Sequence, residues 1–250
     1  MKIVLLTALG VGGATVFGAL LGFAFKKISH KFSDMVLAFA AGVMLAAAVC
    51  SLILPSLEYP GGSFLVTVLG IFCGALALTG LDKLVPHLHR LSGADQENHP
   101  EQTAQLDKIL LFVMAIAIHN LPEGIAAGVG AGSGDTGAAL TIAAGIALQN
   151  IPEGMVIIAP MLAAGMKPGR TFLVAMITGV VEVLGTLLGF FAVRLATAIL
   201  PFALAFAGGT MLYVISDEMI PETHHGEARG VTWFLLMGFC LMLAMSHYLE

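Results

Sequence analysis

Two short stretches of this chain carry side chains with the types and spacing for metal chemistry: "HNLPEG" at 119–124 and "QNIPEG" at 149–154. On a helix, residues three and four apart share a face. His119 and Glu123 are four apart, Asn120 and Glu123 three apart, and Gln149, Asn150 and Glu153 repeat that arrangement. Each helix therefore projects a cluster of nitrogen and oxygen donors to one side. Inside each motif stands a proline, which lacks an N–H and leaves the carbonyl four residues earlier without its helical partner. Pro122 frees the carbonyl of Ile118, and Pro152 frees that of Leu148. A kinked helix with a bare carbonyl beside carboxylates suits an ion held at membrane depth. Imidazole, carboxylate and amide oxygen together favour borderline cations such as Zn2+, Fe2+ or Mn2+ over the all-oxygen cages of Ca2+ and Mg2+.

The elements that must position these groups are membrane helices. The chain is 58% apolar and only 11% charged, with a mean hydropathy of +0.95, whereas a soluble domain carries about a quarter charged residues. A spanning helix needs about 20 mostly apolar residues. Eight such runs are predicted, at about 3–25, 35–57, 63–81, 108–130, 138–163, 171–194, 200–221 and 231–249. They form one all-α transmembrane domain over 1–250. Breakers such as "YPGG", "GAGSGDTG", "GMKPGR" and "ETHHGEARG" separate the runs, and the junction near "RLATAILP" is the weakest. The opening run is too long for the core of a cleavable signal peptide. Lys and Arg border the first, third, fifth and seventh connections at nine positions, against Lys2 and Arg194 on the other side. The bias puts the odd loops in the cytoplasm and both termini outside.

The two motifs fall in consecutive spans joined by a short loop, so they run antiparallel. A repeated motif in antiparallel helices implies a pseudo-two-fold axis in the membrane plane, with the two clusters meeting near the midplane. Energetics point the same way. Glu123, Glu153 and Glu182 (in "GVVEVLG") are predicted to lie inside spans, where each acidic group costs about 2.5–3.5 kcal/mol. The sum of roughly 8–10 kcal/mol rivals the stability of a whole domain. No Lys or Arg in a span interior is available to neutralise them. Protons or divalent cations are, and two divalent ions opposite three carboxylates come near balance. The competing structural reading is that Asn and Gln act as hydrogen-bond glue between membrane helices. A repeated motif with three buried glutamates fits that reading poorly.

Other chemistry-bearing residues are ambiguous. His87, His89, His99, His224 and His225 fall in cytoplasmic connections and serve either as ordinary solvated residues or as a weak loop metal site. The connection at 82–107 is polar enough to be a mobile, His-containing cytoplasmic loop. Cys50, Cys73 and Cys240 lie in apolar stretches with no CxxC pairing and read as packing residues. Small-residue patterns such as "GVGGATVFGALLG" and "GIAAGVGAG" suit close helix packing or a homodimer contact.

The paired motifs "HNLPEG" and "QNIPEG" resemble the fourth and fifth helices of the Zrt-/Irt-like (ZIP) divalent-metal transporters, in the prokaryotic GufA-like branch. The resemblance covers nearly the whole chain. It implies a 3+2+3 arrangement of helices, an elevator-like movement of one bundle against another, and a binuclear metal site between helices 4, 5 and 6. His119, Glu123, Gln149 and Glu153 resemble the ligands of the first metal. Asn120, Asn150, Glu153 and Glu182 resemble those of the second, with Glu153 bridging. "AAGVMLAAAVCSLILP" resembles the second helix, which makes Met44 a soft ligand or gate and puts Ser51 on the pathway. "SDEMIPE" resembles the seventh-helix motif, so Asp217, Glu218 and Glu222 are candidates for the cytoplasmic exit, joined by Asp34. Many family members have histidine where Gln149 and Asp217 stand, and often histidine or aspartate at Asn150. The neutral amides here soften the preference for zinc.

The expected function is secondary transport of Zn2+, and also Cd2+, Fe2+ or Mn2+, into the cytoplasm across a bacterial inner membrane. Metal ions and membrane lipids are the expected partners, with no nucleic acid. A metal-gated channel would use the same ligands and stays open as an alternative. A zinc hydrolase would need an open metal position and a placed general base, and the HExxH arrangement is absent.

Overall fold

Four connections between the apolar runs turn on glycines in the left-handed region, which only a residue without a Cβ adopts readily: Gly61 (φ 85°), Gly134 (φ 89°), Gly165 (φ 84°) and Gly230 (φ 110°). The structure is a computed structural model that describes residues 2–24, 30–84, 120–163, 165–224 and 230–249. Among these the chain forms eight helical runs and no strand. We label them α1 (Lys2–Ala24), α2 (His30–Ala46, Ala47–Ile53 and Leu54–Glu58 in continuous succession), α3 (Phe64–Leu84) and α4 (120–132). There follow α5 (Thr136–Val156, resuming as Ile158–Ala163), α6 (Pro168–Leu195), α7 (Leu200–Val214, Ile215–Met219 and Ile220–Thr223) and α8 (Val231–Leu249).

The described runs fall on the predicted spans, apart from their ends; of the fourth span, predicted at 108–130, residues 108–119 lie outside the described residues. α3 continues through Leu84, three residues into the stretch assigned to the loop, and the rest of 82–107 lies outside the described residues. The weak junction between the sixth and seventh spans is real: α6 ends at Leu195, and a single 3-10 turn, Thr197–Ile199, leads into α7. Among the described residues, five helical runs are long and apolar enough to cross a membrane: Lys2–Ala24, Lys31–Glu58, Pro168–Leu195, Thr197–Thr223 and Val231–Leu249. Thr136–Val156 is not among them, because Gln149, Asn150, Pro152 and Glu153 dilute its hydropathy.

Two features were not anticipated. α2 and α7 each widen into a π-helical turn, Ala47–Ile53 and Ile215–Met219, shortly before a proline. Pro55 and Pro221 cannot donate to the carbonyls four residues earlier, those of Ser51 and Asp217. The wider turn is the local solution to that missing bond. The same two helices share a sequence, "AFAAGVML" at 38–45 and "AFAGGTML" at 205–212. Met44 and Met211 hold equivalent places in it and both are buried.

Packing divides the helices into two groups. α1 packs on α5 and α6; α2 packs on α8, and α3 on α7. α4 joins the first group by direct backbone contact with α6. A Cβ on Gly185 would stand 2.7 Å from the Leu121 carbonyl oxygen, and one on Gly124 would run into the backbone of Glu182. α5 forms the seam, also packing on α2 and α8. The outward faces are apolar: Leu65, Leu69, Phe72 and Leu76 make an exposed stripe along α3, and Trp233, Leu236, Met237 and Leu241 line α8. These are faces for lipid, and the chain is an integral membrane protein.

Candidate metal centre

The polar cluster is assembled by α1, α4, α5 and α6. α5 begins where the Asp135 side chain accepts from the Gly137 and Ala138 N–H groups, at 2.8 and 3.2 Å, closing the first turn as an N-cap. From there Gln149 and Asn150 lie about 20 Å along the helix, at 1.5 Å per residue. Glu182 lies near the middle of Pro168–Leu195, roughly 20 Å from either end, so its depth matches the centre of a hydrocarbon layer about 30 Å thick. Asn120, Glu123, Gln149, Asn150 and Glu182 are all buried.

The hydrogen bonds define two half-clusters. Gln149 Nε2 donates to Glu123 Oε1 at 2.8 Å, tying α5 to α4. On the other side Glu182 collects three donors. Asn120 Nδ2 and Thr15 Oγ1 (2.6 Å) donate to its Oε1, and Asn150 Nδ2 donates to its Oε2 at 2.8 Å. Asn150 Nδ2 also donates to the Val11 carbonyl at 3.3 Å. Glu153 is half-buried one turn beyond Gln149, on the same face of α5.

The amide orientations follow from these bonds. Turning Asn150 over would set its oxygen against two acceptors, the Val11 carbonyl and Glu182 Oε2. The same holds for Gln149 against Glu123. Each amide nitrogen therefore faces a carboxylate or carbonyl, and each amide oxygen faces the opposite way. The consequence is a set of buried acceptors that nothing fills: Glu123 Oε2, Gln149 Oε1 and Asn150 Oδ1 have no hydrogen-bond partner among the described residues. A buried acceptor left without a donor costs about 1–3 kcal/mol. A divalent cation satisfies several such oxygens at once, and the carboxylates of Glu123 and Glu182, bonded to neutral amides and a hydroxyl, supply compensating charge.

The remaining predicted residues are either outside the described residues or on other parts of the fold. His119, His87, His89, His99 and His225 are outside the described residues. Among those described, no three His, Cys, Asp or Glu side chains gather closely enough to hold a metal, so the candidate centre leans on amide oxygens. Met44 and Ser51 are buried on α2, in the other helix group. The start of α2 packs against Ile215–Met219 and Ile220–Thr223, which puts Asp34 at the same end of the molecule as Asp217, Glu218 and Glu222. Asp217 and Glu222 are exposed there and Asp34 is half-buried. His224 is exposed too, and its Nδ1 lies 2.8 Å from the Ile220 carbonyl and 3.0 Å from Thr223 Oγ1. At the opposite end, Pro55, Glu58, Tyr59, Ser133 and Asp135 line an open cavity of about 730 Å3. Sequence reading missed Thr15 and the Val11 carbonyl, because nothing in the run of small residues on α1 marks a threonine facing a carboxylate.

Comparison with known proteins identifies the family. The profile of the ZIP zinc transporter family matches residues 82–246. This chain belongs to the ZIP family. The zinc transporter GufA of Myxococcus xanthus is 38% identical over 97% of this chain and 97% of its own length. Zinc transporter ZIPB of Bordetella bronchiseptica is 38% identical over 93% of this chain and 77% of its own. Human zinc transporter ZIP11 is 31% identical, covering 94% and 93%. The matched stretch includes Asn120, Glu123, Gln149, Asn150 and Glu182 and leaves α1 outside it.

Proposed function

We propose that this ZIP protein is a secondary transporter that carries Zn2+, and with it Cd2+, Fe2+ or Mn2+, into the cytoplasm of a bacterium across its inner membrane. The observation that carries the reading is the set of buried acceptors on Glu123, Gln149 and Asn150 left without a hydrogen-bond partner among the described residues, at membrane depth beside Glu182. The relatives named as zinc transporters support it.

In this reading the ion sheds water for His119, Glu123, Gln149 and Glu153, and a second ion takes Asn120, Asn150, Glu153 and Glu182. Met44 and Ser51 line the way to the first site. Asp34, Asp217, Glu218 and Glu222 receive the ion on the cytoplasmic side, where the His-containing stretch at 82–107 also lies. His87, His89, His99, His224 and His225 are available there as a weak loop site. Both termini are extracytoplasmic in a 3+2+3 order of helices. Because the hydrogen bonds of Thr15, Asn120, Gln149 and Asn150 to Glu123 and Glu182 run within the group α1, α4, α5 and α6, that group moves as a unit against α2, α3, α7 and α8, in an elevator-type step.

Zinc uptake into liposomes reconstituted with the purified protein tests this. Saturable uptake that is lost in Glu153→Ala is expected, since that carboxylate is assigned to both ions. Absence of uptake of any transition metal by the wild-type protein, or full uptake by Glu153→Ala, would refute it.

A further inference from the structure

We propose that Thr15, on the first helix, is a positioning residue of the metal centre: its hydroxyl occupies one oxygen of Glu182 and so leaves the other to the ion. The inference rests on reading the cluster as a divalent-cation site and deepens it.

Threonines in membrane helices ordinarily return their hydroxyl to a carbonyl of their own helix. Thr79, Thr178, Thr186 and Thr210 do so here, bonding the carbonyls of Ala75, Ala175, Glu182 and Ala207 at 2.7–2.9 Å. Thr15 does not. Its Oγ1 crosses to another helix and donates to Glu182 Oε1 at 2.6 Å, in a fully buried contact. Asn120 Nδ2 donates to the same oxygen. A carboxylate oxygen has about two in-plane acceptor positions, so Oε1 is full. Oε2 accepts from Asn150 Nδ2 and keeps one position open.

The backbone of α1 contributes as well. Val11 lies one turn before Thr15 on the same face, and its carbonyl accepts the second bond of Asn150 Nδ2. The first helix thus aims both the open position on Glu182 Oε2 and the unfilled Oδ1 of Asn150. Its own place is set by glycine contacts: a Cβ on Gly154 would collide with the Thr15 carbonyl, so α1 and α5 touch backbone to backbone. Removing an outer hydrogen bond that orients a metal ligand typically lowers metal affinity 10–100-fold.

The test is equilibrium Zn2+ binding to the full chain in detergent, with no other ligand. Thr15→Val keeps the shape and removes the donor, and is expected to weaken Zn2+ binding by about 10–100-fold. Thr15→Ser restores the donor and is expected to stay within about threefold of wild type, a rescue that a packing role would not give. If Thr15→Val does not fold, Thr15→Ala and Thr15→Ser, which differ by one oxygen atom, repeat the comparison. Equal affinities in the donor and donor-less variants would overturn the inference while leaving the metal-centre reading intact. A wild-type chain that binds no Zn2+ would instead end the reading on which it rests.

Discussion

Replacing Glu182 by glutamine changes one atom and should separate metal binding from folding. Glutamine keeps a single oxygen where the carboxylate has two. With that oxygen toward Thr15 and Asn120, its amide nitrogen meets the Asn150 amide nitrogen, donor against donor. Asn150 cannot turn over, because its oxygen would then face the Val11 carbonyl, 3.3 Å from its nitrogen. The opposite rotamer keeps the Asn150 bond and lets the Thr15 hydroxyl accept from the amide nitrogen, but sets that nitrogen against Asn120 Nδ2. Either arrangement loses one charge-assisted bond, about 1.5–3 kcal/mol. At 1.4 kcal/mol per decade that is roughly a 10- to 150-fold loss in affinity for the ion from orientation alone, before the lost anionic ligand is counted. Folding stability should not fall in step, because a neutral side chain at this depth escapes the desolvation penalty of a buried charge. The assays are Zn2+ titration and thermal unfolding of the same detergent preparation. Wild-type Zn2+ affinity in Glu182→Gln would refute the reasoning, and so would an affinity loss that merely tracks a large drop in melting temperature.

Gln149→Ala should weaken Zn2+ uptake without abolishing it, because an amide oxygen is lost but Glu123 remains; Gln149→His should shift competition between Zn2+ and Mn2+ towards Zn2+, since imidazole nitrogen favours zinc. Competitive uptake into liposomes reads both, and unchanged selectivity in Gln149→His would remove Gln149 from the ligand set. Gly124→Ala puts a methyl group 2.9 Å from Glu182 Cα and should cost about 1–3 kcal/mol as overpacking. Thermal unfolding measures it, and an unshifted transition would show that α4 and α6 do not meet backbone to backbone.

The amino-acid sequence alone determined the class of molecule and the chemistry on offer. Apolar runs of about 20 residues can only be satisfied as helices in lipid, and both motifs could be found by spacing because a helix puts residues three and four apart on one face. Glycine and proline marked the turns, since their backbone restrictions act locally. Local rules also failed locally: the π-helical turns before Pro55 and Pro221 needed knowledge of how each helix copes with a missing bond.

What only the tertiary structure decided is which polar atoms meet. Gln149 pairs with Glu123, and Asn150 pairs with Glu182, although Gln149 and Asn150 are neighbours with nearly identical chemistry. Their directions differ by about 100°, the angle per residue on a helix of 3.6 residues per turn, so each finds a different partner helix. Thr15 enters the cluster for the same kind of reason: Gly12 of α1 and Gly179 of α6 let those two backbones touch, and that closeness brings a hydroxyl within reach of a carboxylate 167 positions away. Spacing along one helix is a local property that sequence displays, whereas contact between helices depends on their packed distance, which no single segment encodes.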